Sequence, residues 1–228
     1  MSKGKVIFVV SSNDKLGTTG KQTGWYLPEA AHPYEVLSKA GYQITFVSPK
    51  GGKAPMDEGS GQTFKDDAVC KEFLKHHVTK LDKTVKASEL KPADFKGLFY
   101  VGGHAPMFDM PAAKDIAKLA ADIYENGGIL GAVCHGTVGF VPVKLSSGES
   151  LVKGQTVTSF TNSEEDAVKL SSAMPFMLET KLRELGAKFV GADNWACNVQ
   201  VSGRLVSGQN PASATKTGEE MVKLLAAQ

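Results

Sequence analysis

The sequence predicts an α/β sandwich, a mostly parallel central sheet between helices. Three observations predict it. Short apolar runs recur without the polar alternation of a half-exposed strand, which is the pattern of strands buried on both faces. Helical segments separate these runs. The alternation of strand and helix continues from end to end with no internal repeat or low-complexity stretch, so residues 1–228 are expected to form one domain.

Each element has a local reason. Lys5 to Ser11 is the first buried strand. A Gly/Thr-rich loop, Gly17 to Gly24, leads to a helix that Pro28 opens and Gly41 stops, with Pro33 early enough to be tolerated or to kink it. Gln43 to Ser48 is the second strand and completes a βαβ unit. Pro49 to Gln62, rich in Gly, Pro and Asp, reads as a loop, Phe64 to His77 as a helix, and Leu81 to Phe95 as short helical pieces. Gly97 to Val101 is the third strand and ends in Gly102-Gly103. Pro111 to Asn126 is an amphipathic helix with Ile116, Leu119, Ala120 and Ile123 on one face, terminated by Gly127-Gly128. Ile129 to Val133 is the fourth core strand, and His135 to Phe140 begins a helix. Thr156 to Phe160 is a further strand, and Glu164 to Gly186 is helical with an interruption near Pro175. Lys188 to Val190, Val199 to Val201 and Leu205 to Ser207 are short strands, with a hairpin turn at Ser202-Gly203. A helix from Pro211 to Ala227, with Asn210 as its N-cap, closes the fold.

Composition excludes several classes of function. Lys and Arg number 26 against 24 Asp and Glu, a formal charge of +2 with no basic stripe. That argues against nucleic-acid binding and against a polybasic membrane anchor. No apolar run approaches the ~20 residues of a membrane span. The start, Met1 to Lys5 and then Val6 to Val10, resembles a signal-peptide core but is short, and polar Ser11 to Asp14 follow in place of a cleavage pattern. Cys70, Cys134 and Cys197 are odd in number and widely spaced, so they form neither a disulfide framework nor a zinc pattern. A reducing cytoplasm is the expected compartment.

The sharpest chemical feature is Gly131 to Gly136, in which Cys134 sits where a buried strand turns into a helix. Such an elbow strains its central residue and pushes that side chain out. Free N–H groups at the helix start favour a thiolate. The plainer reading is a buried cysteine at a strand end. Gly102-Gly103-His104 ends a neighbouring strand, and ligand sites of open α/β sheets lie outside such carboxyl ends. A backbone N–H at Gly103, paired with that of His135, suits an oxyanion, although a plain βα turn also needs two glycines. His104 is either a donor to substrate or a satisfied turn residue. Glu29 lies in the first turn of the first helix among apolar neighbours. It is either a half-buried proton relay with a raised pKa or a carboxylate complementing the helix dipole. Glu164, Glu165 and Asp166 stand where Asn162 or Ser163 caps a helix with the acids in its first turn, which is the favoured reading; the alternative is that one of them orients a histidine. His76 and His77 read as solvated, His32 is ambiguous beside Pro33, and no trio has zinc spacing.

Together these segments resemble the ThiJ/PfpI superfamily, relatives of the class I glutamine amidotransferases. The resemblance rests on Ala132 to Gly136, on Gly102 to His104, on Gly24 to Pro33 with Glu29 inside it, and on Gly203 to Ser213. It is nearest to the small branch that contains glutathione-independent glyoxalases of the glyoxalase III type and stress-associated chaperones. It implies a three-layer, flavodoxin-like sandwich. It implies Cys134 as nucleophile, Glu29 as general acid/base against its sulfur, and His135 oriented by an acid placed at Glu165. It implies an oxyanion and substrate site at Gly103, His104 and His135. The implied activity is that of a cofactor-independent lyase (D-lactate dehydratase) converting methylglyoxal to lactate through a Cys134 hemithioacetal, with no metal and no glutathione. Competing readings are a cysteine peptidase or amidase of the PfpI type, a holdase chaperone and a protein deglycase. A homodimer is common in the superfamily. Ala105-Pro106 follow Gly102-Gly103-His104 where relatives often carry another glycine, which changes the pocket wall.

Overall fold

The computed structural model describes residues 2–228; Met1, where the expected amino-terminal segment begins, lies outside them. The principal sheet has six strands in the order β2-β1-β3-β4-β8-β7. These are β1 (Gly4–Val9), β2 (Tyr42–Val47), β3 (Gly97–Tyr100), β4 (Ile129–Val133), β7 (Val199–Ser202) and β8 (Leu205–Gly208). All neighbours run parallel except the β7–β8 hairpin, which turns at Gly203.

Strand geometry explains why the runs are apolar throughout. Successive side chains point to opposite faces, and both faces are covered. Ile7, Val9, Leu98, Tyr100, Leu130 and Leu205 enter one core cluster with Ile116, Leu119, Ala120 and Ile123 of α5 (Lys114–Glu125). Val6, Phe8, Phe99, Ile129, Val133 and Val206 enter the other, under α1 (Leu27–Lys39) and α8 (Ala214–Ala226). The result is the expected three-layer, flavodoxin-like sandwich.

Because β1 lies between β2 and β3, the chain reverses its direction of travel across the sheet after β2. A crevice at such a reversal, outside the carboxyl ends of the strands, is where α/β sheets hold ligands. The loops leaving β1, β3 and β4 meet there.

Several expectations need correction. Pro49 to Gln62 is not all loop: Glu58–Thr63 forms a short helix, α2. Its two glycines hide it, but the Asp57 side chain accepts from the Ser60 N–H at 2.8 Å, and Ser60 Oγ accepts from the Leu27 N–H. Tertiary bonding overrides weak propensity here. The segment after β4 is a 3-10 helix, Cys134–Phe140, rather than the start of an α-helix. Thr156 to Phe160 is a strand only over β5 (Thr156–Val157), which pairs with β6 (Lys188–Phe189) in a separate two-stranded sheet. Beyond it the Thr158 N–H turns to Ser207 Oγ instead of a strand partner. Asn210 takes the N-cap position of a 3-10 turn, Pro211–Ser213, that precedes the last α-helix, but its Oδ1 accepts from the Ser213 hydroxyl and not from a backbone N–H. The remaining helices are α3 (Ala68–His76), α4 (Pro106–Asp109), α6 (Asn162–Ala167) and α7 (Leu178–Glu184). No helix of the described residues is long and apolar enough to cross a membrane.

Candidate active site

Cys134 stands at the end of β4 with φ +58°, one of three non-glycine residues in the left-handed region among the described residues. For a residue with a Cβ this conformation costs of order 1–3 kcal/mol, a strain that structures keep at functional turns. The expected elbow is therefore present. The side chain is not pushed into solvent: Cys134 is only 4% exposed. Nor is its thiol made acidic. Burial, and next the negative charge of Glu29, push its pKa up, against a downward pull from the N–H groups of His135 and Gly103. A 3-10 helix offers those two local donors but not the aligned dipole of a long α-helix.

Glu29 comes from the first turn of α1 and is wholly buried. Pro33 leaves the Glu29 carbonyl without its usual N–H donor, yet α1 continues through it to Lys39. Burial raises the Glu29 pKa from 4.5 to about 8, although the Cys134 thiol and the Gly103 N–H pull the other way. Neither carboxyl oxygen has a well-directed hydrogen bond. The carboxyl thus lies close enough to the thiol for each to bias the other's titration, without a settled bond between them. Catalytic hydrogen bonds commonly tighten only when substrate arrives. Gly102 makes the approach possible: a Cβ there would fall 2.1 Å from Glu29 Oε2 and 3.0 Å from Cys134 Cβ. Gly103, at φ +97°, then turns the chain so that its N–H faces the sulfur.

His135 is buried and lies between the thiol and an acid. Its Nδ1 is 3.4 Å from Cys134 Sγ, and its Nε2 is 2.5 Å from Glu165 Oε2. Glu165 Oε1 is 2.8 Å from His104 Nε2. A carboxylate between two ring nitrogens accepts from both, which assigns the His135 proton to Nε2 and leaves Nδ1 as an acceptor facing the thiol. Burial, then the neighbouring His104 charge, lowers the His135 pKa to about 4, so the ring is neutral at pH 7. Burial alone would raise Glu165, but the facing imidazoles outweigh it and hold the carboxyl at about 2.

The three consecutive acids after Asn162-Ser163 thus divide. Glu165 holds His135 and His104. Asp166 is exposed and accepts from Ser171. Glu164 closes a capping box with Thr161 and also accepts from the Trp195 N–H, Gln209 and Asn210. This hub ties the Asn210 amide nitrogen to α6. It also fixes the loop bearing Trp195, which sequence reasoning missed. Trp195 is 48% exposed, adopts φ +66°, and packs at a tilt against Phe160, whose ring lies 4.4 Å from that of His135. Tyr26 was missed as well. Its N–H donates to the Gly102 carbonyl, and burial and the Glu29 and Cys134 charges push its hydroxyl pKa up. The one sequence signal that pointed to Trp195 is a large aromatic inside the polar segment Gly191 to Asn198 between two short strands.

Tyr26, Phe64, Trp195 and Asn210 line a cavity of about 490 Å³ beside the site. A larger hollow, about 770 Å³ along Lys5, Tyr34 and Tyr42, lies by the edge strand away from Cys134. The linear sequence has no zinc spacing, yet the fold gathers two trios of donor atoms: His104, His135 and Glu165, and separately His32, Asp67 and Cys70. In the first trio both Nε2 atoms are spent on Glu165. Of the remaining histidines, exposed His76 pairs with Glu72, and His77 lies against the Tyr34 ring.

The model of the DJ-1/PfpI family matches residues 24–224. Glyoxalase 3 of Candida albicans is 33% identical over 96% of this chain and 97% of its own. A glutathione-independent glyoxalase of Schizosaccharomyces pombe is 36% identical over 98% and 96%. Among solved structures, glyoxalase III of Candida albicans superposes with a TM-score of 0.90 at 32% identity, covering 97% of both chains. The Rapid Encystment Protein 24 kDa of Francisella tularensis superposes with a TM-score of 0.92 at 31% identity, covering 97% of this chain and 99% of that one.

Proposed function

This chain belongs to the DJ-1/PfpI family, and on that premise we propose that it is a glutathione-independent glyoxalase converting methylglyoxal to lactate. One observation carries the reading beyond resemblance. A wholly buried carboxyl, Glu29, has its pKa raised to about 8 against the thiol of Cys134. Isomerising a dicarbonyl needs a base that takes a proton from carbon and returns it to the next carbon. A carboxyl poised near neutral pH suits both halves of that task.

The steps follow from the groups present. His135 Nδ1 accepts the Cys134 proton, and the sulfur adds to the aldehyde carbon. The former carbonyl oxygen takes a proton from the His135 ring, giving the hemithioacetal, with the N–H groups of Gly103 and His135 facing that oxygen as it gains charge. Glu29 carboxylate removes the hydrogen from this carbon, and the electron pair moves onto the neighbouring carbonyl oxygen, giving an enediolate whose second oxygen takes the proton of the hemithioacetal hydroxyl. Protonated Glu29 then returns the proton to that neighbouring carbon, leaving a thioester. Water cleaves the thioester to lactate and restores the thiol. Glu165 keeps its charge throughout and holds the His135 tautomer, with His104 bound to its other oxygen. None of these steps calls on glutathione, a metal or another cofactor.

Cys134, His135 and Glu165 also form the chain of contacts that a cysteine amidase needs, and this favours one alternative. A buried acid against the sulfur hinders an amidase and serves an isomerase. We also read residues 1–228 as one catalytic domain, cytoplasmic and homodimeric. The test is incubation of the purified protein with methylglyoxal and no glutathione, following lactate. Wild type should form lactate and Cys134→Ala none. Equal lactate from both, or none from wild type, contradicts the proposal.

A further inference from the structure

A second set of donor atoms lies where α1 meets α3. His32 sits one turn beyond Glu29, and its Nε2 is 3.3 Å from Asp67 Oδ1. Asp67 caps α3 by accepting from the Cys70 N–H at 2.8 Å, so Cys70 is held three residues into the same turn. Cys70 is fully buried, while the His32 and Asp67 side chains are 22% and 30% exposed. One imidazole nitrogen, one carboxylate oxygen and one sulfur thus lie within 4.8 Å of one another. The opposite ring nitrogen, His32 Nδ1, is 3.1 Å from Thr215 Oγ1 on α8. Metal-binding histidines are usually held in this way, by a hydrogen bond at the nitrogen that does not ligate.

The spacing and donor types select an ion. Two nitrogen or oxygen ligands at ~2.0 Å from a tetrahedral centre are ~3.3 Å apart. The His32–Asp67 separation already has that value, and the sulfur needs to close by only about an ångström. A mixed nitrogen, oxygen and thiolate set suits zinc and disfavours magnesium and calcium, which take oxygen ligands. Thiolate and carboxylate together would neutralise the ion, in keeping with a half-buried position.

We propose that His32, Asp67 and Cys70 form a zinc site that ties α1 to α3, with its fourth position open to solvent. On binding, the Cys70 S–H bond breaks, its proton leaves to solvent, and a zinc–sulfur bond forms. The site shares no residue with the proposed glyoxalase machinery and does not depend on that reading. Its links to the reaction are that His32 and Glu29 share one helix and that His32 and Thr215 line the cavity bounded by Tyr26 and Trp195.

The test uses the full chain carrying Cys134→Ser and Cys197→Ser, so that Cys70 is the one thiol. Cobalt(II) is titrated into metal-stripped protein. One equivalent should produce a thiolate-to-cobalt charge-transfer band with tetrahedral visible absorption, and zinc should abolish both. Cys70→Ser should lose the charge-transfer band, and His32→Gln should weaken cobalt binding at least tenfold. His32→Gln leaves the Asp67 cap intact, which keeps the test informative if the Cys70 variant fails to fold. No charge-transfer band, or equal cobalt affinity with and without His32, would mean that the trio is only a hydrogen-bonded cap and would overturn the proposal.

Discussion

Replacing Glu29 by Gln should make the protein more stable and less active at the same time. The change keeps the shape of the side chain and removes its ability to ionise. In the unfolded chain Glu29 titrates near 4.5; in the folded chain burial lifts it to about 8. Below pH 4.5 the carboxyl is neutral in both states and contributes no pH-dependent difference. Above that, the unfolded state ionises first, so folding is penalised by ~1.4 kcal/mol per pH unit until the folded group ionises as well. At pH 7 the penalty is about 3 kcal/mol, and above pH 8 it levels off. Glu29→Gln lacks this penalty. Urea denaturation of both proteins at pH 5, 6, 7 and 8 should show the stability gap in favour of Gln widening as pH rises. Measuring the pH dependence cancels whatever the buried amide itself costs. Dicarbonyl turnover by the same variant should fall by ~10²–10⁴, the usual contribution of a positioned acid/base. A pH-independent gap would refute the buried ionisation, and wild-type turnover in the variant would refute the proton relay.

Other consequences concern the surrounding residues. The kcat/KM of wild type should rise about tenfold per pH unit towards an apparent pKa near 8, because the relay acts first as a base and its carboxyl is held protonated below that value; a flat profile from pH 6 to 8 would contradict this. Gly102→Ala puts a Cβ 2.1 Å from Glu29 Oε2 and 2.6 Å from the Val133 carbonyl, so it should destabilise by ~1–3 kcal/mol and cost at least tenfold in turnover, read by denaturation and lactate assay. Glu165→Gln offers one acceptor to two ring N–H groups and frees the His135 tautomer, so kcat should fall by ~10²–10⁴ while circular dichroism stays native. Trp195→Ala removes an aromatic wall outside the reacting groups and should raise KM by ~3–10-fold with little change in kcat.

Much of the fold was legible because its strands are buried on both faces, so β1, β3 and β4 stand out as apolar runs wherever they occur. What escaped were elements fixed by distant partners. Helix α2 depends on the Asp57 cap and on a Ser60 bond to Leu27, while its own composition is that of a loop. The β5 strand ends early because Ser207 takes the Thr158 N–H. At the candidate site, Cys134, His135, Glu29 and the Gly102-Gly103 turn were legible because strained elbows and close approaches demand particular residue types. The protonation of the site was not. Sequence placed a free helix start beside the thiol and suggested a thiolate, whereas burial and Glu29 dominate and raise the thiol. The division of labour among Glu164, Glu165 and Asp166 likewise depends on which direction each side chain leaves α6, and adjacency in sequence does not reveal it.

The most direct test of the account is to look for substrate held on the sulfur when the proton relay is missing. Crystals of Glu29→Gln protein are soaked in methylglyoxal without glutathione, the electron density at each nucleophile is read, and lactate is assayed in solution. The account predicts one methylglyoxal equivalent on Cys134, scarcely any lactate, and no such adduct in Cys134→Ala. Adducts confined to lysine, arginine, Cys70 or Cys197, with Cys134 unmodified, would contradict it.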